Sequence, residues 1–232
     1  MFDLIRSLQF SKFFSWSAFQ DEWFARFWSY FGPLARQNAD AAVKPLMKQA
    51  SGIVVDVGPG SGQWLDLFDR SNVSKIYGVE PNAGHHAALR ANVKRAGLDG
   101  VYEIIGAGVE DLESFGIAKE SVDTVVTVQV LCSVPGPRSI ITSLYPYLKP
   151  GGKWIVYEHV KTKYHQRFVS RWQSAIDRVW PHFIGGCSIT RPTDEWLLQA
   201  GPWEEVSLKP GDDEGPYDTI PHVKGFLIKR GS

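Results

Sequence analysis

The sequence predicts an α/β fold: a seven-stranded, mostly parallel sheet with helices on both faces, preceded by an aromatic helical arm. Three observations carry this. From residue 52 onward, short β-branched runs alternate with helix-length stretches, the pattern of a parallel sheet with crossover helices. The glycine-rich stretch DVGPGSG (56–62) follows directly on the first apolar run. Residues 1–31 hold 12 of the chain's 30 aromatic residues.

In the arm, read as residues 1–50, Trp16, Phe19, Trp23, Phe27 and Tyr30 recur at helical spacing. Phe24, Trp28 and Phe31 lie alongside, with Asp21, Glu22 and Arg26 between. One or two amphipathic helices ending near Gly32–Pro33 are expected. Such an arm packs on its own domain, closes a pocket as a lid, or lies on a membrane surface; the last kind usually carries more Lys and Arg on its polar face.

The domain proper, 51–232, opens with Ile53–Val57, a β-branched run bounded by glycines and read as a buried strand. Gly62–Asp69 is expected to be helical and Lys75–Val79 is the second strand. Ala83–Ala96 is a helix stopped by Gly97. Tyr102–Ile105 and Thr124–Val130 are strands three and four, and Pro137–Tyr147 is a helix with proline at its start. Lys153–Val160 is the fifth strand. A helical insertion, 161–190, shows an apolar stripe of Phe168, Trp172, Ile176 and Val179. Thr193–Ala200 reads as a helix capped by Thr193. Trp203–Leu208 and His222–Ile228 read as final strands antiparallel to the rest.

The 232 residues suit one large domain. Hydrophobic residues make up 44% and charged residues 22%, as in a soluble globular protein. Lys plus Arg and Asp plus Glu are 25 each, so no broad field draws the chain to nucleic acid, and a small-molecule partner is favoured. Cys132 and Cys187 stand 55 residues apart, which makes neither a disulfide framework nor a zinc spacing and fits a reducing compartment. No metal is expected, and both thiols are read as packing. The adjacent His85 and His86 are read as surface residues, because neighbours on a helix diverge. No apolar run reaches the roughly 18 residues of a membrane span, and Asp3 and Arg6 precede no apolar block of signal-peptide kind.

The glycine loop selects the ligand. A phosphate-binding loop needs Gly-Lys-Ser/Thr, but Gly62 is followed by Gln63 and Trp64. A dinucleotide loop wants a small residue where Gln63 stands. The run Asp56, Gly58, Gly60, Gly62 instead resembles the S-adenosylmethionine loop of the class I methyltransferases, whose fold is Rossmann-like. That resemblance implies S-adenosylmethionine as cofactor and S-adenosylhomocysteine as product. Pro59 lies within the loop. The resemblance implies that Glu80, 18 residues beyond Gly62 and followed by Pro81 and Asn82, accepts from both ribose hydroxyls. It places Val109 and Glu110 at the adenine, and Gln129, Val130 and Leu131 beside the donor and its methyl group.

A narrower resemblance rests on VLCSV (130–134), KPGG (149–152), EHV (158–160), Trp172–Gln173 with Asp177 and Trp180, GGCSITR (185–191) and PHVKGF (221–226). In this order the blocks resemble the microsomal alkyl thiol methyltransferases and their fungal relatives, over roughly 50–230. The resemblance implies methyl transfer to a small-molecule thiol, or to a hydroxyl as in fungal secondary metabolism. Those relatives carry a hydrophobic N-terminal anchor, whereas this arm is charged. The expected location is the cytoplasm, with peripheral contact to the cytosolic face of an internal membrane left open.

Ionising a thiol of pKa about 8.5 costs about 2 kcal/mol at neutral pH, and a phenol of pKa about 10 costs about 4, so a base matters more for the phenol. His159, Asp177 and His182 are the candidate bases; His159 leads because strand ends face the ligand crevice. Two rival readings keep the fold: an enzyme that uses the cofactor for rearrangement or cyclisation, and a non-catalytic interaction protein docking through the arm.

Overall fold

The computed structural model describes residues 16–164, 167–212 and 214–231. Residues 1–15 of the arm and His165 and Gln166 of the insertion lie outside the described residues, as do the side chains of Trp16 and Asp21.

Among the described residues of the arm there is one helix, α1, Trp16–Met47, and it runs through Pro33 instead of stopping there. An interior proline costs a helix ~3 kcal/mol. What offsets that cost lies downstream: Ala39, Val43, Leu46 and Met47 are buried against the sheet. Burying such side chains contributes roughly 1.5–3 kcal/mol for each large one.

The strands are β1 Gly52–Val57, β2 Val73–Val79, β3 Tyr102–Ile105, β4 Val122–Val128, β5 Leu148–His159, β6 Trp203–Pro210 and β7 His222–Lys229. Helices α2 Ala83–Arg95, α3 Pro137–Leu144, α4 Arg167–Asp177, α5 Trp180–Phe183 and α6 Thr193–Leu198 connect or precede them. The sheet order is β3-β2-β1-β4-β5-β7-β6. β1 to β5 are mutually parallel. Only β7 opposes them: β6 pairs antiparallel with β7 and therefore runs with β5, which corrects the expectation that both last strands are reversed.

Alternation along the strands splits the core. Val54, Ile76, Val126 and Ile155 face α1 and α2, while Val55, Val125 and Val156 face α3 and α6. Strand order reverses between β1 and β4, so the crevice for a ligand opens where these two strands end.

Four further expectations change. Gly62–Asp69 is turns and a single 3-10 turn, Leu65–Leu67. Gly62 stands at φ +82°, and Asp69 accepts from Ser71 N and Oγ to start another turn, leaving too few residues to nucleate an α-helix. β4 ends at Val128 because Gln129 turns to φ +55°. β5 begins early at Leu148, with KPGG bulging out of register between Leu148 and Lys153. Thr193 starts α6 without capping it, and its buried Oγ1 finds no partner among the described residues.

The stripe on α4 also differs. Phe168 is 77% exposed and Trp172 51%, while Val169 and Gln173 are buried. A polar anchor explains this: Gln173 accepts from Thr162 N and donates Nε2–H to the carbonyls of Val160, Ile189 and Thr219. No helix among the described residues is long and apolar enough to cross a membrane.

Candidate active site

A cavity of about 790 Å³ opens at the β1/β4 switch point. One wall is the glycine loop. Gly58 has φ +60°, and a Cβ there would sit 2.2 Å from Val130 Cγ2. Only glycine lets the β1 loop lie this close to the β4 loop, and that contact leaves bare main chain along the cavity.

Glu80 closes the β2 end of this wall. It is only 5% exposed; Oε2 accepts the Gly60 N–H at 2.9 Å and Oε1 accepts the Asn82 N–H at 2.8 Å. Gly58, Pro59, Gly60, Glu80, Pro81 and Asn82 all line the cavity. Asp56 and Gly62 do not. Asp56 is buried behind the loop, where Tyr102 Oη donates to it at 2.9 Å, and burial pushes its carboxyl up to about 7.

Val109 and Glu110 border the cavity beyond β3, and Gln129 and Val130 border it beyond β4. The Gln129 carbonyl Oε1 is buried and has no donor among the described residues. Leu131 is fully buried outside the lining; its N–H is given to Glu158. Sequence reasoning missed Glu158, which accepts from Val130 N at 3.0 Å and Leu131 N at 3.1 Å. Burial raises its carboxyl to about 8.

The far end of the cavity holds Cys132, His159 and Cys187. One ligating atom of each lies within 4.8 Å of the others, and Cys187 Sγ is 3.5 Å from His159 Nδ1. No spacing rule connects residues from β4's loop, β5's end and the insertion, so the sequence hid this cluster. The Cys132 thiol is held well above its ordinary value by its hydrogen bond with Cys187 and by burial.

The other candidate bases stand apart. Asp177 is outside the lining; it accepts from Ser188 Oγ, Ile189 N and Thr190 Oγ1, tying α4 to the following loop. His182 is exposed on α5 and is not among the residues that line the cavity. His85, expected at the surface, is buried and lines the cavity with Phe24 edge-on at 6.0 Å. Burial and the neighbouring His86 lower its imidazole to about 4, so it is neutral near pH 7. Its burial follows from α1, which adds Gln20, Phe24 and Trp28 to the cavity wall. Trp23 Nε1 donates to Phe183 O at 3.2 Å, joining α1 to the insertion.

The methyltransferase domain family matches residues 27–200. The chain belongs to that family. Thiol S-methyltransferase TMT1B of Rattus norvegicus is 27% identical over 180 residues, covering 76% of this methyltransferase and 70% of the relative. The human TMT1B is 23% identical over 224 residues, covering 92% and 89%. Among solved structures, an O-methyltransferase family protein from Burkholderia thailandensis superposes with a TM-score of 0.61 at 16% identity, covering 94% of this methyltransferase and 60% of that chain. The cyclase SpnF superposes at 0.63 with 18% identity, covering 85% and 82%. These two likenesses show the fold. S-adenosylmethionine is the methyl donor, and the bare glycine loop and the buried carboxylate of Glu80 suit its tail and ribose.

Proposed function

We propose that this methyltransferase acts on a small-molecule thiol, with hydroxyl compounds as poorer acceptors. The observation that carries the reading is the lining of the cavity, which joins the glycine loop and Glu80 with Cys132, His159 and Cys187. The thiol S-methyltransferase relatives support it.

The donor supplies an electrophilic methyl group. The chain's residues then have three tasks. Gly58, Pro59 and Gly60 present main chain to the amino acid tail, and Glu80, with Pro81 and Asn82 beside it, accepts from the ribose. Val109 packs on the adenine and Glu110 accepts from its amine. Gln129 and Val130 lie beside the donor's cationic centre and its methyl group. Asp56, Gly62 and Leu131 act from behind this lining, holding the two loops in place.

Helix α1 is the lid. Phe24 and Trp28 close the cavity, exclude water and give a cationic donor aromatic neighbours. Methyl transfer needs little more than such alignment of nucleophile and methyl in a dry site.

Phe168, Trp172, Val179 and Phe183 are exposed on the insertion, and the Phe183 carbonyl accepts from Trp23 of the lid. They favour peripheral contact with the cytosolic face of an internal membrane, from which a greasy thiol would enter.

Labelled S-adenosylmethionine with a panel of alkyl thiols, aryl thiols and phenols tests the reading. Label transferred to thiols above phenols is the expected result; transfer to phenols alone, or to none, contradicts it.

A further inference from the structure

We propose that Cys132, His159 and Cys187 form a three-ligand site for a thiophilic divalent cation of the Zn²⁺ kind, with its fourth position open to the cavity. The role given to that position rests on the thiol-acceptor reading above; the site itself does not.

Two thiolates and an imidazole are the ligand set such an ion takes, and three protein ligands with one vacancy distinguish catalytic from structural zinc. Bond lengths of about 2.3 Å to sulfur and about 2.0 Å to nitrogen put tetrahedral ligand atoms roughly 3.5–3.8 Å apart. The observed 3.5 Å between Cys187 Sγ and His159 Nδ1 already matches, and all three atoms lie within 4.8 Å. Cys132 Sγ otherwise makes only long contacts, 3.6 Å to Ser133 Oγ and 3.8 Å to Gln129 O. Cys132 and Cys187 are 1% and 2% exposed, yet both line the cavity with His159.

The surroundings hold the ligands as a prepared site requires. Glu158 pins the Val130 and Leu131 amides just before Cys132. Arg191 donates to the carbonyls of Leu131 and Val134 on either side of it. Asp177 pins Ser188, Ile189 and Thr190 just after Cys187. Ser188 N–H donates to Cys132 O at 2.8 Å and locks the two ligand loops together. The net charge of a divalent ion with two thiolates is zero, which suits a buried place.

At the vacancy an acceptor thiol binds through sulfur and releases its proton to solvent. A lone pair on that sulfur forms the bond to the donor's methyl carbon, the methyl–sulfonium bond breaks, and its electron pair stays on the donor sulfur. The thioether product is a neutral, weaker ligand and leaves; the metal keeps its charge. His159 then serves as a ligand instead of the base expected from the sequence.

The test is Co²⁺ titration of the reduced, chelator-treated full chain. One equivalent should bind with a thiolate-to-cobalt charge-transfer band and tetrahedral visible bands, and Zn²⁺ should displace it. C132S and C187S should each lose the charge-transfer intensity, with the wild-type circular dichroism spectrum as the folding control. Adding an alkyl thiol without S-adenosylmethionine should shift the visible bands. No stoichiometric band in the reduced wild-type chain overturns the site. A band insensitive to thiol, or full thiol turnover by metal-free enzyme, overturns the role of the fourth position and leaves the methyltransferase reading standing. Stoichiometric metal with no thiol methylated does the reverse.

Discussion

Glu80 accepts the Gly60 amide N–H at 2.9 Å, so the acid at the end of β2 holds the loop at the end of β1. One carboxylate thereby shapes the main chain under the donor and offers further lone pairs to a diol. Glu80→Ala is expected to weaken S-adenosylhomocysteine binding tenfold or more by calorimetry, the scale of a lost charged hydrogen bond. Glu80→Gln keeps one acceptor and should lose less. Unchanged affinity in both variants contradicts the ribose placement.

Gly58→Ala combines a left-handed φ of +60° with a Cβ 2.2 Å from Val130 Cγ2. A loss of roughly 1–3 kcal/mol in denaturant unfolding is expected. Val130→Ala in the same chain removes the steric part, so the double variant should recover some stability. A Gly58→Ala chain as stable as wild type contradicts the close approach of these loops.

Asp56 gives a pH dependence of defined sign. Its carboxyl is raised from 3.8 to about 7 by burial, against the Tyr102 hydrogen bond and with help from the charge of Glu80. Between those values the folded state keeps a proton that the unfolded chain has released, so unfolding free energy falls as pH rises through this window and levels above it. Asp56→Asn should remove that part of the slope while keeping an acceptor for Tyr102. Denaturant midpoints at about pH 5 and about pH 8 measure it; parallel wild-type and variant profiles contradict the assignment.

Much of this architecture is legible in the sequence, and the failures have physical causes. Tyr102–Ile105 and the β-branched cores of β1, β2 and β4 follow from local pattern, because a parallel strand buried on both faces reads as an apolar run. The place of Glu80 at the end of β2, beside the glycine loop, is legible because it directly follows the second apolar run. The continuation of α1 past Pro33 is not, since tertiary burial of Val43 and Met47 overrides a local breaker. Burial of Gln173 with four partners, and exposure of Phe168 and Trp172 on the same helix, inverts what hydrophobic periodicity predicts. The meeting of Cys132, His159 and Cys187 needs the completed sheet.

That inverted helix yields a further prediction. The double variant Phe168→Ser, Trp172→Ser removes exposed apolar surface with little core cost, so stability should change by no more than about 0.5 kcal/mol per site. Cosedimentation with neutral lipid vesicles should fall, while turnover of a water-soluble thiol stays near wild type. Equal sedimentation of variant and wild type contradicts the membrane contact.

The most direct test of the central claim is a crystal structure of the chain with S-adenosylhomocysteine. The account predicts the ribose hydroxyls on the Glu80 carboxylate, the tail along Gly58–Gly60, and the sulfur pointing toward Cys132, His159 and Cys187. Density for the ligand anywhere else, or a crevice filled by side chains at saturating ligand, contradicts it.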